Sequence, residues 1–296
     1  MTHDRFIEID VAKGFAVVLM MCFHYFYLGK HMGIFDANTS SGWLFMFAKI
    51  AHTIFILTSG ANLAISTSGK TPTKYIPKKI KRGLYLVVVG LFISYFTKIE
   101  FGDNYVRFGI LHFLGVATIL SSFVMKSPTL TYLFAGIILI FHGLLTYTNL
   151  KDTFISVCDK NPLTCFISGI MNTKYNALDH FSLVPYLGVF LLGSGIAFTC
   201  YKINTVKEDM ANLEDVGIVS LTGDWKNSDN RAGDNRRNVK FLGLLDNHKD
   251  NILVKMISWV GQRSMMFYIT HFVVLYCLFK LILMKRSNNI DVIDIE

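Results

Sequence analysis

Five imidazoles lie where a chain of this composition has least reason to put them. His24, His52, His112, His142 and His271 all fall inside long apolar runs of a 296-residue sequence. An ionisable group in such a run is costly unless it faces a cavity or a partner. Near pH 7 a neutral imidazole can take a proton from a hydroxyl or an amine, or carry an acyl group as a nucleophile. At about 1.5 Å of rise per residue from the nearest expected helix end, His112 and His52 lie about 8 and about 13 Å below one bilayer surface. By the same count His24 and His142 are about 20 Å from the other, so in a core of about 30 Å these four share one half of the membrane. His52 and His142 each read most simply as hydrogen-bonded helix contacts. His24 and His112 sit in local patterns that point to catalysis.

The first pattern is Asp10-Val11-Ala12-Lys13-Gly14, followed ten residues later by His24. At 100° per residue Asp10, Lys13 and His24 fall within about 60° of one another, so one helix stripe carries a charged pair at one end and an imidazole toward the other. The bland reading is an interfacial ion pair plus a buried histidine; the functional one is a tunnel closed by Asp10 and Lys13, with His24 working inside it. A second pattern, Arg107-Phe108-Gly109-Ile110-Leu111-His112-Phe113-Leu114-Gly115, sets two glycines beside a histidine, where helices can approach closely. Asp179 and His180 open a later span from the same side as Arg107, and Ser264, Tyr268 and His271 form one stripe on the last span. His271 counts to about 10 Å from the opposite face.

Helices in a bilayer must position these groups. Hydrophobic residues make up 52% of the chain and charged residues 17%, which is too apolar and too poor in charge for an ordinary soluble domain. Seven blocks, near residues 12–29, 43–66, 80–97, 107–125, 129–147, 181–201 and 264–284, are long enough to cross. The predicted fold class is all-α, a polytopic transmembrane helix bundle of about seven spans plus an interfacial helix, Ile252–Val260, with Ser264 as N-cap of the last span. Residues 1–202 form the membrane domain with the first six spans, 203–250 a polar, partly disordered loop, and 251–296 the interfacial helix, last span and tail. The net charge of +8 comes from short basic runs between apolar blocks. Loops 67–82 and 202–250 are rich in Lys and Arg and the alternate loops are poor, so the positive-inside rule places the N-terminus in the cytoplasm.

That charge pattern argues against nucleic acid as a partner and for membrane lipids. There is no P-loop, dinucleotide fingerprint, Cys-x-x-Cys pair or His-Glu-x-x-His, so nucleotide hydrolysis and a metal site are unsupported. Cys22, Cys200 and Cys277 read as small buried hydrophobes; Cys158 and Cys165 share a polar loop, and their pairing is left open. Asn38-Thr39-Ser40 is an acceptor triplet for glycosylation on the outer side.

Asp10-x-x-Lys13-Gly14 with His24, Phe55-Ile56-Leu57-Thr58-Ser59-Gly60, the Phe108–Gly115 segment, Leu183-Val184-Pro185-Tyr186-Leu187-Gly188-Val189-Phe190-Leu191-Leu192-Gly193 and Gly261-x-x-Ser264-x-x-x-Tyr268-x-x-His271, in that order, resemble the catalytic-domain family of heparan-α-glucosaminide N-acetyltransferase. Lys13 stands where the wider group of membrane acyltransferases usually has Arg. The resemblance implies transfer of an acetyl group from cytoplasmic acetyl-CoA to an amine or hydroxyl of a sugar or glycoconjugate on the far side. The expected catalytic residues are then His24 and His112, lining one cavity. Asp179, His180, His52 and Arg107 are expected at the acceptor, and Asp10, Lys13, Lys78, Lys79, Lys81, Arg82 and His271 at the donor. The Lys78–Arg82 cluster is explained equally by topology and anionic headgroups. A homodimer stays open. The competing reading is a proton-coupled, multi-pass transporter of a small polar solute, since intramembrane His and Asp also build proton relays.

Overall fold

The computed structural model describes residues 6–67, 69–125, 127–148, 179–201 and 250–293, the last eight as backbone alone. Every regular element among the described residues is helical: α1 (Ile7–His31), α2 (Gly42–Thr67), α3 (Pro72–Phe101) with a 3-10 turn at Gly102–Asn104, α4 (Ile110–Val124), α5 (Pro128–Tyr147), α6 (Leu183–Cys200), α7 (Ile252–Gln262) and α8 (Ser264–Ile293). Six of these are long and apolar enough to cross a bilayer, while α4 and α7 are shorter. The chain is an all-α, multi-pass integral membrane protein whose outer faces meet lipid.

The expected fourth span, 107–125, is the short α4, and the reason lies in its entry. Phe108 is extended and pairs with His180 in an isolated bridge, its carbonyl accepting from the Phe181 N–H at 2.8 Å. Two non-helical segments thus satisfy each other's backbone, the condition for irregular chain inside a membrane protein. The break between α7 and α8 falls at Arg263, so Ser264 is the first helical residue and not the cap expected of it. Asn251 caps α7 by accepting from the Leu253 N–H at 2.9 Å. Loop 203–249, Cys158 and Cys165 lie outside the described residues. Cys22 and Cys200 are half-buried, but Cys277 is exposed, so the buried-hydrophobe reading does not hold for it. On a membrane helix an exposed thiol is simply a small apolar group facing lipid.

The helices fall into two compact units, residues 1–55 with 242–296, and residues 56–241. In the first, α1 buries Asp10, Gly14, Val17 and Met20, three or four residues apart, along one stripe. Helix α7 packs on the start of that stripe, backbone against backbone. A β-carbon at Gly14 would overlap the Ile257 carbonyl, and one at Gly261 would overlap the Asp10 carbonyl and lie 2.8 Å from the Gly14 nitrogen. After α1 the chain doubles back and sets Phe35 in the space left by Gly29, against Tyr25 and the fully buried Phe279. Asn38 closes that turn: its carbonyl accepts from the N–H groups of Ser40 and Ser41, and its amide donates to the Ser41 hydroxyl at 2.8 Å.

The second unit repeats the same device. A β-carbon at Gly60 would overlap the Phe190 carbonyl and one at Gly193 the Leu57 carbonyl, while the Ser194 hydroxyl donates to the Gly60 carbonyl at 2.9 Å. Gly83 and Gly115 face each other across α3 and α4. Phe113, Phe181, Tyr186 and Phe190 form the aromatic core of this unit. On α3, Leu84, Tyr85, Val88, Leu91, Phe92, Tyr95 and Phe96 are exposed on a helical stripe, which is the face for lipid.

Candidate active site

His24 lies on the continuation of the buried stripe of α1, four residues beyond Met20. Its Nδ1 is 3.1 Å from Nε2 of His271, and the two ring centroids are 5.0 Å apart. The pairing follows from the glycine contact below it. Gly261 sets the first turn of α8 at the level of Asp10 and Gly14, so the seven residues from Ser264 to His271 climb about 10 Å, to the level of Met20–His24. Counted from the start of its own helix, His271 is about 10 Å from the face opposite the half that holds His24. The structure gives it a place in the His24 cluster. Phe272 meets the His24 ring edge-on at 5.9 Å and Tyr268 lies 5.8 Å from the His271 ring. His52 is in the same unit and within electrostatic reach of His24.

The hydrogen bonds determine which nitrogens hold protons. Nδ1 of His271 lies 2.8 Å from the Phe267 carbonyl, which can only accept, so that nitrogen carries the hydrogen. In the neutral ring Nε2 is then a lone pair, and it accepts from Nδ1–H of His24, whose ring also bonds to the Met20 carbonyl one turn below. This leaves Nε2 of His24 as the basic nitrogen of the pair. Asp10 is buried at the foot of the stripe and Lys13 is partly exposed one turn above it, and both are engaged with neighbours.

His112 belongs to the second unit. Its ring stacks on Phe108 at 5.4 Å and lies against Gly90, where a β-carbon would come within 2.8 Å of Nδ1. It is buried, and neither ring nitrogen has a hydrogen-bond partner among the described residues. In this unit the bridge between Phe108 and His180 brings Arg107, Asp179 and His180 together at the amino ends of α4 and α6. The Asp179 carboxylate comes within 3.1 Å of where a Gly109 β-carbon would lie, beside the positive end of α4. Arg107 donates to the Asp103 carbonyl at 3.3 Å and lies over the Tyr105 ring. Burial, and then the Arg107 charge, hold the His180 imidazole down at about 4, so it is neutral at pH 7. On α5 the Thr146 hydroxyl donates to the His142 carbonyl at 2.8 Å and lies 3.5 Å from His142 Nε2, while His142 Nδ1 has no hydrogen-bond partner among the described residues.

The basic run at the start of α3 divides in two. Lys79 is buried and donates to the Ser66 hydroxyl, while Lys70 donates to the Ser66 carbonyl at 2.7 Å. Two lysines thus cap the carboxyl end of α2, where cations are favoured. Lys78, Lys81 and Arg82 are exposed, share one helix face and make no ion pair among the described residues. No group of three His, Cys, Asp or Glu suited to a metal occurs among the described residues.

Apolar helices joined through glycine crossings, with two imidazoles paired between two of them, define a multi-pass membrane protein. The family model described as heparan-alpha-glucosaminide N-acetyltransferase, catalytic, matches residues 5–226, and the chain belongs to this family of membrane acetyltransferases. The match includes His24, the Gly60 and Gly193 crossing, and His112; the Gly261–His271 segment lies beyond it. No curated protein and no solved structure matches the chain.

Proposed function

We propose that the protein transfers an acetyl group from acetyl-CoA to an amine or hydroxyl of a sugar or glycoconjugate on the opposite side of the membrane, with His24 as general base. The observation that supports this reading most is the pairing of His24 with His271, which leaves His24 Nε2 free to take a proton. As the acceptor oxygen or nitrogen attacks the thioester carbonyl, Nε2 removes its proton. The carbon–sulfur bond then breaks, and coenzyme A leaves as a thiol once the imidazolium returns that proton. From the family resemblance His52, in the first unit, and Arg107, Asp179 and His180, in the second, are proposed as acceptor residues, and His112, also in the second, as a positioning residue. Asp10 and Lys13 are proposed on the donor side. The cytoplasmic donor side rests on the cations of loops 67–82 and 202–250.

Purified protein given acetyl-CoA and an aminosugar should release free coenzyme A in step with acetylated product. Solute flux without coenzyme A release would replace the enzyme with a transporter. Single cysteines in loop 67–82 of a cysteine-free background should resist impermeant thiol reagents in intact cells, and labelling from outside would reverse the donor side.

The donor's phosphates need cations, and Lys78, Lys81 and Arg82 are exposed without ion-pair partners among the described residues. Replacing all three with glutamine should raise KM for acetyl-CoA about tenfold with kcat little changed, because phosphate contacts serve ground and transition states alike. Lys79→Met should act differently, lowering thermal stability through loss of the contact with Ser66. An unchanged KM in the triple variant would leave the three cations to anionic lipid.

A further inference from the structure

We infer that His271 is the positioning residue of the catalytic base: its Nε2 accepts the Nδ1 proton of His24 and so holds His24 in the tautomer whose Nε2 is basic. The inference rests on the proposed role of His24, and it adds a function for a residue beyond the matched part of the family. Three observations carry it. The Phe267 carbonyl, 2.8 Å from His271 Nδ1, takes that ring's only hydrogen and orients it along α8. His271 is 5% exposed, so water has little access to replace either bond. Its Nε2 meets His24 at 3.1 Å across a helix pair set by Gly14 and Gly261, so the alignment comes from backbone packing and not from a mobile side chain.

A base with the wrong nitrogen protonated cannot take the acceptor's proton, however well it is placed. In a serine-protease triad the equivalent loss of tautomer control costs about 10⁴ in kcat. Here a second imidazole fills the place of that triad's carboxylate and is itself held by a main-chain carbonyl. Because the ring donating to His271 is neutral, the lock needs no buried charge, which suits a site inside a membrane.

The test has two arms that fail separately. In protein labelled with ¹⁵N-histidine and held in detergent, the His24 nitrogens, assigned by difference against His24→Gln, should report a protonated Nδ1 and a bare Nε2. In His271→Leu, with only the Met20 carbonyl left to hold the Nδ1 hydrogen, they should shift toward a mixture of the two tautomers. In turnover, His271→Leu and His271→Asn should lower kcat by about 10² or more with KM for acetyl-CoA unchanged. His271→Gln, whose side-chain oxygen reaches the position of Nε2, should recover at least tenfold of that loss. A proton on Nε2 of His24 in the unaltered protein would overturn the inference without any variant having to fold. So would a folded His271→Leu that keeps its turnover. If the tautomer is as stated but no acetyl transfer is detected with any acceptor, the proposed function has failed and the positioning contact stands.

Discussion

His24→Gln lowers acetyl transfer by about 10²–10⁴, the range typical for loss of a general base. Glutamine keeps the size of the side chain and a hydrogen-bonding group near the position of Nε2, but it cannot titrate near pH 7. The α1–α7 contact through Gly14 and Gly261 lies about two turns or more below the substitution and does not involve it, so thermal stability should change little. Binding of acetyl-CoA, followed by equilibrium titration of the purified variant, should be largely retained. Near-normal turnover in a stable preparation would reduce the His24–His271 pair to a helix contact and remove the proposed mechanism. Activity lost together with acetyl-CoA binding would place His24 at the donor instead.

Gly60→Ala and Gly193→Ala each destabilise the protein by about 1–3 kcal/mol, and the corresponding valines by more, while Gly136→Ala is tolerated. A β-carbon at Gly60 would overlap the Phe190 carbonyl, and one at Gly193 the Leu57 carbonyl. Both obstacles are main chain, so no rotamer change relieves them; α2 and α6 must move apart and the Ser194 bond to Gly60 is lost. Nothing lies within 4 Å of a β-carbon at Gly136. Thermal unfolding in detergent should therefore separate two glycines that look alike in an apolar helix. Equal midpoints for Gly60→Ala and Gly136→Ala would mean that the crossing is looser than drawn.

The family motifs make sense at these crossings. Gly14, Gly60, Gly115, Gly193 and Gly261 each stand where another backbone comes too close for a side chain. Helices in lipid gain no hydrophobic drive from meeting each other, and small residues let their backbones approach. The spacing of Gly261 from His271 then sets the height at which the second imidazole meets the first.

Spans and fold class were legible in the residues, and His24 stood out among them, because a bilayer imposes one length and one polarity on every crossing helix and penalises each ionisable group within it. The stripe of Asp10, Lys13 and His24 was equally legible, since positions on one helix follow from 100° per residue alone. The partner of His24 was not. His24 and His271 are 247 residues apart, and the height of one helix against another depends on where their backbones touch, which no periodicity encodes. The short α4 was hidden for a similar reason: the sequence offers no stop between Arg107 and the apolar run after it, but Phe108 gives its carbonyl to Phe181 across a stretch of sequence that only folding brings together. The basic run Lys78–Arg82 read as one cluster because charge is all that a sequence displays. Helix geometry turned Lys79 inward to Ser66 and left Lys78, Lys81 and Arg82 outside, a division decided by which face α3 presents to α2.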